Sequence, residues 1–501
     1  MRSARLAAVT TALVACFAVT HALAQTTSVV NSGVQFDFSL PGAKSLAMGG
    51  SFVALADDAT AAQANPAGLT RLPIARPQIS IEGRGWNFFT LTPHGGHAFG
   101  APTWNGVDGV LAPGRWPRAG AELAGVEGLE LNDTTRSVSL VTLVYPAGGW
   151  VLAGYRHQLL NLVNRTESAG PFVTLPSGDV ARLNPFTGRI EADIATYGMS
   201  VARGRGDISV GGGIGFSTFS IASRAQSFLL LPHNRLLQPN ERAGFTQAGD
   251  QFGPADFSDQ KTLFIDEQIG DDTALSYNLG MSVRLGDMLQ LGGSFRKGPM
   301  FRYNTRFAGG PGQRLLSGSP GDIDRHEGIR FHVPDSYAVG LALFPANSLT
   351  LTFEYDYIRY EQILNGGGDG LPVETAGQSR SADPKVVADG LREVQALAID
   401  NAHQARAGVE WRVLTKGAQT LLLRAGGWYD PDHRLRSETT DPTDLRLLTK
   451  AVLLPRGSDE GHFSFGGGLL FGEKVQLDAG VDLSPRVNTL AVSAVVYFQN
   501  R

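Results

Sequence analysis

The run SLTLTFEYDYIRY, residues 348–360, decides the fold class. Leu349, Leu351, Phe353, Tyr355 and Tyr357 fall on one face of an extended chain, and Thr350, Thr352, Glu354 and Asp356 on the other. Side chains alternate between faces with a period of two only in a strand, so this is a strand with one apolar face and one face carrying full charges. Two further runs repeat the pattern. In HQARAGVEWRV, Ala405, Ala407, Val409, Trp411 and Val413 oppose Gln404, Arg406, Glu410 and Arg412. In KVQLDAGVDL, Val475, Leu477, Ala479, Val481 and Leu483 oppose Gln476, Asp478 and Asp482. A soluble sandwich also alternates, with its apolar face in the core. Length separates the two readings: these strands reach about ten residues with Tyr or Trp near their ends, as a tilted membrane-crossing strand requires.

Connections alternate in length as well. Short turns fall at PAGG (146–149), GRGD (204–207), LGD (285–287), PAN (345–347), TKGA (415–418) and GEK (472–474). Long polar stretches lie between them, over 92–135, 161–188, 222–273, 304–328, 362–400 and 431–461. That is the pattern of periplasmic turns and extracellular loops. A strand near 78–91, six hairpins and a last strand near 488–498 make about fourteen, and a closed barrel satisfies every backbone group as lipid demands. The expected fold is all-β: a transmembrane antiparallel β-barrel of about 14 strands, over residues 77–501.

Ahead of the barrel stand two other pieces. Arg2 and Arg5, an apolar run over 6–19 and Ala22-Leu23-Ala24 read as a cleaved secretory signal peptide, residues 1–24. A lipoprotein reading of Leu13-Val14-Ala15-Cys16 is disfavoured because the apolar run continues past Cys16. Cys16 is the one cysteine, so no disulfide framework exists. No later run of 18 apolar residues offers a membrane helix. The net charge of −4 without a basic stripe argues against nucleic acid. The ten histidines show no metal-ligand spacing. NGGGDG (365–370) lacks the setting of a phosphate loop and the closing Glu of a calcium loop. No enzyme activity, catalytic residue, metal or cofactor is expected.

Residues 25–76 form the second piece, a compact hatch. A barrel of fourteen strands leaves a lumen that its own side chains cannot fill, and a small-residue segment folded inside would plug it. Within GAKSLAMGGSFVALADDATAAQANPAGLTRL (42–72), the Met48-Gly49-Gly50 run, ALADDATAA with its Asp57-Asp58 pair, and Asn65-Pro66-Ala67-Gly68-Leu69 carry a specific likeness. They resemble the N-terminal hatch of the FadL/TodX family, the long-chain fatty acid and hydrocarbon transporters of the outer membrane. The resemblance implies a plugged fourteen-stranded barrel in the outer membrane of a Gram-negative bacterium. Its partners would be a hydrophobic small-molecule substrate (fatty acid or hydrocarbon), outer-membrane lipid and lipopolysaccharide, and the barrel assembly machinery. PorV-like barrels share the motif, so a secretion-associated or structural role stays open beside transport, with a general diffusion porin behind both.

The resemblance also gives site expectations. The long stretch 222–273 carries SFLLLPHNRLL, whose Phe228, Leu229, Leu230, Leu231, Leu236 and Leu237 mark a surface groove or a self-packed loop; family members capture substrate on their third and fourth loops. Gly211-Gly212-Gly213 lies within a strand, where glycine marks a bulge, a bend or close backbone approach. Family barrels have a kinked strand beside the plug that opens a lateral exit, and this run is the candidate, with plain packing on the hatch as the alternative. Asp57-Asp58 is expected to latch onto a lumen arginine (Arg406, Arg412 or Arg424) or to cap a short helix. Asn65-Pro66 is expected to end a hatch helix, because the residue before proline is held extended.

Overall fold

The computed structural model describes residues 41–72, 76–96, 126–168, 172–174, 180–182, 186–228, 262–309, 324–363, 397–438 and 456–498. The wall is built from β1 (Gln78–Gly96), β2 (Val126–Ala147), β3 (Trp150–Ser168), β4 (Phe186–Arg205), β5 (Ile208–Phe228) and β6 (Thr262–Leu285). It continues through β7 (Leu289–Lys297), β8 (Met300–Gly309), β9 (Asp324–His332), β10 (Ser336–Ala346), β11 (Leu349–Ile358) and β12 (Ala402–Lys416). The last four are β13 (Gln419–Asp430), β14 (Glu460–Phe471), β15 (Val475–Leu483) and β16 (Val487–Tyr497). β8 prolongs the stave begun by β7, and β10 completes the stave begun by β9, so fourteen antiparallel staves circle the wall. Closure comes from β1 on β16, in register from Gln78–Tyr497 to Phe88–Val487. The chain is a closed transmembrane β-barrel.

All six expected short turns are present, and Gly148, Gly149, Gly206, Gly286, Gly417 and Gly472 take positive φ within them. The alternating faces sort as the sequence indicated. Phe353, Tyr355, Trp411, Leu477 and Leu483 are exposed outward, while Glu354, Asp356, Gln404, Asp478 and Asp482 are buried inward. Outward apolar surface on every side of a closed cylinder is a lipid-facing belt. A row of rings crosses the wall from β6 to β12: Tyr277–Phe295, Phe295–Tyr337, Tyr337–Tyr357 and Tyr357–His403, with centroids 5.9, 4.8, 6.2 and 4.9 Å apart. It forms one aromatic girdle; exposed Tyr145, Trp150 and Phe471 lie near the opposite rim. From Leu349 to Tyr357 the chain rises about 20–25 Å at the usual tilt, the height of a lipid-facing band.

Several staves are longer than the sequence reading gave them. β5 and β6 run to Phe228 and from Thr262, paired from Ile208–Val283 to Phe228–Thr262, so both ends of 222–273 are strand and not loop. The reason is an inversion of polarity. Along β5 the outward residues are Ile208, Val210, Ile214 and Phe216, then Thr218, Ser220 and Arg224; the inward ones are Ser209, Gly211, Gly213, Gly215 and Ser217, then Phe219 and Ile221. Above the girdle the exterior carries charge, with Arg189–Glu191 paired at 2.7 Å on β4, and the interior holds an apolar cluster that includes Ile190, Ile194, Phe219 and Ile221, beside buried Asn164, Thr166, Ser223 and Gln268. This upper half stands in water, and a search for outward apolar residues stops where lipid stops.

Candidate functional site

Residues 41–72 lie against the inward face of the wall. They hold two short helices, α1 (Ala43–Ala47) and α2 (Ala61–Ala64), and a 3-10 turn over Pro66–Arg71. Asn65 stops α2 in extended geometry (φ −152°), and its Oδ1 accepts from Ala67 N at 3.2 Å to start the next turn. Its Nδ2 donates to Val53 O at 2.7 Å and to Met281 O at 3.2 Å. Wall side chains satisfy much of the remaining backbone. Glu354 Oε2 accepts from Phe52 N and Val53 N at 2.6 and 2.7 Å. Asn278 Nδ2 donates to Ala62 O and Gln63 O at 3.1 and 2.9 Å, Ser200 Oγ to Ala62 O at 2.6 Å, and Gln290 Nε2 to Ala54 O at 2.5 Å. Irregular backbone at membrane depth needs such partners.

Glycines on the inward face form seats for this segment. A Cβ on Gly280 would overlap the Asn65 side chain, on Gly292 the Val53 carbonyl, and on Gly426 the Met48–Gly49 peptide. Within the segment, Gly49 (φ +65°) and Gly50 (φ +72°) need glycine twice over. Both sit in the left-handed region, and added side chains would meet Gly427 and the Arg406 guanidinium. Nothing in a period-two reading distinguishes these glycines from ordinary small strand residues.

Charge ties the segment down by a longer route than expected. Asp57 pairs with Lys44 (2.9 Å), not directly with an arginine; Lys44 also reaches Glu410 (3.3 Å), and Arg424 holds Glu410 and Asp478 at 2.6 and 2.7 Å. Arg406 pairs with Asp356 at 2.6 Å and donates to Gly49 O at 3.3 Å. Arg412 is exposed on the wall. The arginine latch is thus corrected to a Lys44-mediated one. Lys44 stands alone among small residues and carries no periodic signal in the sequence. Asp58 does not cap α2, whose N-cap is Thr60 with no side-chain bond; it closes a local turn just ahead of the helix, its Oδ1 accepting from Thr60 N at 2.8 Å and from the Thr60 hydroxyl.

Asp58 also gives the segment a pH response. Its carboxyl is pushed up to about 6, first by burial and then by the Asp57 charge. The docked carboxyl keeps its proton between about pH 4 and 6, where an undocked one has lost it, so docking is strongest below that window and weakens as pH rises through it, by about 1–3 kcal/mol. Hydrogen exchange over 41–72, corrected for intrinsic rates, is expected to be slower at pH 5 than at pH 7.5, and Asp58→Asn should flatten the difference. An unchanged profile in wild type would contradict this.

Above the segment is a cavity of about 60 Å³, room for a few water molecules. Gln63, Tyr155, Thr196, Ser276 and Arg296 give it a polar side, and Leu159, Pro299, Val333, Pro334 and Ile358 an apolar one. The inward apolar cluster of Leu160, Ile194, Phe219, Phe301, Tyr303 and Phe331 lies over it, sharing Val333 and Ile358. Beside it the wall has a seam. The β2–β3 ladder runs only from Ala147–Trp150 to Leu140–His157, although β2 stays paired with β1 to Val126 and β3 with β4 to Ser168. A bulge at Leu159 bends β3 where the ladder stops. Side chains bridge the seam above, including Thr135 Oγ1 to Asn161 O (3.1 Å) and Arg165 to Asp133 (2.8 Å).

The expected kink at Gly211-Gly212-Gly213 is corrected accordingly. β5 pairs both neighbours there without a register shift, and Gly211 instead gives Pro66 and Ala67 room to approach. Of the groove residues, Phe228 ends β5, while Leu229, Leu230, Leu231, Leu236 and Leu237 lie outside the described residues.

No protein-family model and no curated protein matches the chain. Solved structures do. A Pseudomonas aeruginosa FadL homologue is similar at TM-score 0.55 and 12% identity over 92% of this chain and 100% of that one. The P. putida toluene transporter TodX is similar at TM-score 0.54 and 13% identity over 93% and 100%. A TodX deltaS2 mutant, a monoaromatic hydrocarbon channel, gives TM-score 0.51 and 14% identity over 93% and 100%. The chain therefore has the fold of the FadL-like outer-membrane barrels.

Proposed function

We propose that this protein is an outer-membrane channel that takes up hydrophobic small molecules, long-chain fatty acids or hydrocarbons. The observation that carries the proposal is the interior: an upper lumen lined by an apolar, ring-rich cluster, over a half-apolar cavity that adjoins an unzipped seam starting at the upper edge of the lipid-facing wall. A pore for hydrophilic solutes has no use for such a lining. The residue 25–76 segment acts as a hatch that blocks straight passage to the periplasm, a role that fits the many bonds from residues 41–72 to the wall. Capture falls to the apolar residues from Phe228 to Leu237, and release to the β2–β3 seam, sideways into lipid. Export by the 1–24 leader and residence among lipopolysaccharide in a Gram-negative outer membrane complete this reading. The fold it shares with TodX and a FadL homologue supports it.

Binding tests the cavity. Purified protein in mild detergent should bind labelled oleate or toluene, and Leu159→Arg, which puts a charge at the cavity wall beside the seam, should weaken binding tenfold or more, since burying an unpaired charge costs well over about 1.4 kcal/mol. Equal binding by the variant would remove the cavity from the route.

A further inference from the structure

Two neighbouring staves break at the same height, just above the aromatic girdle. Gly298–Pro299 separates β7 from β8, and Val333–Pro334–Asp335 separates β9 from β10. Each break contains a proline, which cannot donate to a ladder. Gly298 admits no side chain, because a Cβ there would lie inside the Val333 carbonyl. Beyond the breaks the hairpin leaves the cylinder. β8 rejoins β6 only at Asn304–Ile269 and beyond, β9 pairs with β8, and β11 pairs with β10 and β12. The hairpin base leans into the lumen, with Phe301, Tyr303 and Phe331 buried and their rings 4.9, 5.9 and 5.7 Å from Phe219. Pro299, Val333 and Pro334, the break residues themselves, roof the cavity.

A backbone bond from Val333 N to Pro299 O (3.0 Å) joins the two breaks, and one carboxylate fastens them from the side. Asp335 accepts from Lys297 Nζ at 2.9 Å, from Gly298 N at 3.0 Å and from Gln362 Nε2 at 3.0 Å, and its own N–H donates to Gln362 Oε1 at 2.8 Å. Gln362 belongs to the 3-10 turn Tyr360–Ile363 that follows β11, so Asp335 joins three separate parts of the wall.

We propose that the base of the β8–β9 hairpin is an apolar gate over the cavity, hinged at the two breaks and latched by Asp335, with Phe219, Phe301 and Phe331 as its selective element. Packed rings exclude water and ions, as a hydrophobic constriction does by dewetting. An apolar molecule can replace ring–ring contacts with its own and pass. The gate rests on the proposed uptake for its purpose, but its existence is tested without any substrate.

In a Cys16→Ser background, Thr196→Cys places a thiol on the cavity wall beneath the rings. A charged, membrane-impermeant thiol reagent added outside whole cells should label it slowly. Asp335→Ala should raise that rate tenfold or more, and Asp335→Asn, which keeps an acceptor but loses the ion pair with Lys297, should fall between. Arg224→Cys, on the exposed outer surface, should label at one rate in all backgrounds. If Asp335→Ala fails to assemble, shown by lost heat-modifiable mobility, the Phe219→Ala/Phe331→Ala pair opens the same path. Fast labelling of Thr196→Cys in the otherwise unaltered barrel, or no acceleration in any assembled variant, overturns the gate. Slow labelling accelerated by these changes supports it even if no hydrophobic substrate is taken up.

Discussion

Replacing Arg424 by alanine should loosen residues 41–72 and turn a nearly silent barrel into a conducting one. Arg424 is fully buried between Glu410 and Asp478, and through Glu410 it organises the Lys44–Asp57 pair. Its removal leaves Asp478 without a cation and Glu410 with Lys44 alone, and breaking a buried ion network from one side costs about 3–5 kcal/mol. If most of that cost falls on docking, the undocked fraction rises by about a hundredfold to a thousandfold, because about 1.4 kcal/mol is tenfold. Ion conductance in planar bilayers reads the change, with heat-modifiable gel mobility confirming an intact barrel. Silence in an assembled Arg424→Ala protein would show that the network does not hold the segment.

Deleting residues 45–67 should have the larger effect still. The deletion removes the backbone that Glu354, Asn278, Gln290 and Ser200 now satisfy, and exposes a lumen that inward side chains alone do not fill. Steady conductance is expected in place of near silence. Gly426→Val should approach the same state by steric means, since its side chain would occupy the place of the Met48–Gly49 peptide. Arg424→Ala added to the deletion should then change conductance little, because both act on one element. Low conductance in the assembled deletion would place the barrier elsewhere.

Much of the fold was legible because lipid imposes a strict rule. Leu349 to Tyr357 alternates without error, since every outward residue meets hydrocarbon, and the turn at Gly206 or Gly417 needs glycine at positive φ. The same rule hid the upper barrel. Past Phe216 the outward residues become Thr218, Ser220 and Arg224, so the strand looks like loop although its pairing continues. The segment 41–72 stood out by its small residues, but its fastenings to the wall did not. Lys44 gives no periodic signal, and Gly280 or Gly426 differs from any small wall residue only through what sits against it in space. The breaks at Gly298–Pro299 and Pro334 carry a visible sign, proline within strand-like sequence, which the alternation of turn lengths does not contain.

The central claim is uptake of hydrophobic small molecules, and uptake measures it most directly. A Gram-negative strain lacking its own fatty acid transporter, complemented with this chain, should accumulate labelled oleate or toluene faster than the same strain carrying an empty vector, and a disulfide locking β2 to β3 across the seam should abolish the gain until it is reduced. No gain for any fatty acid, alkane or monoaromatic hydrocarbon from an assembled barrel, together with a loss of envelope-protein secretion when the chain is removed, would contradict the account.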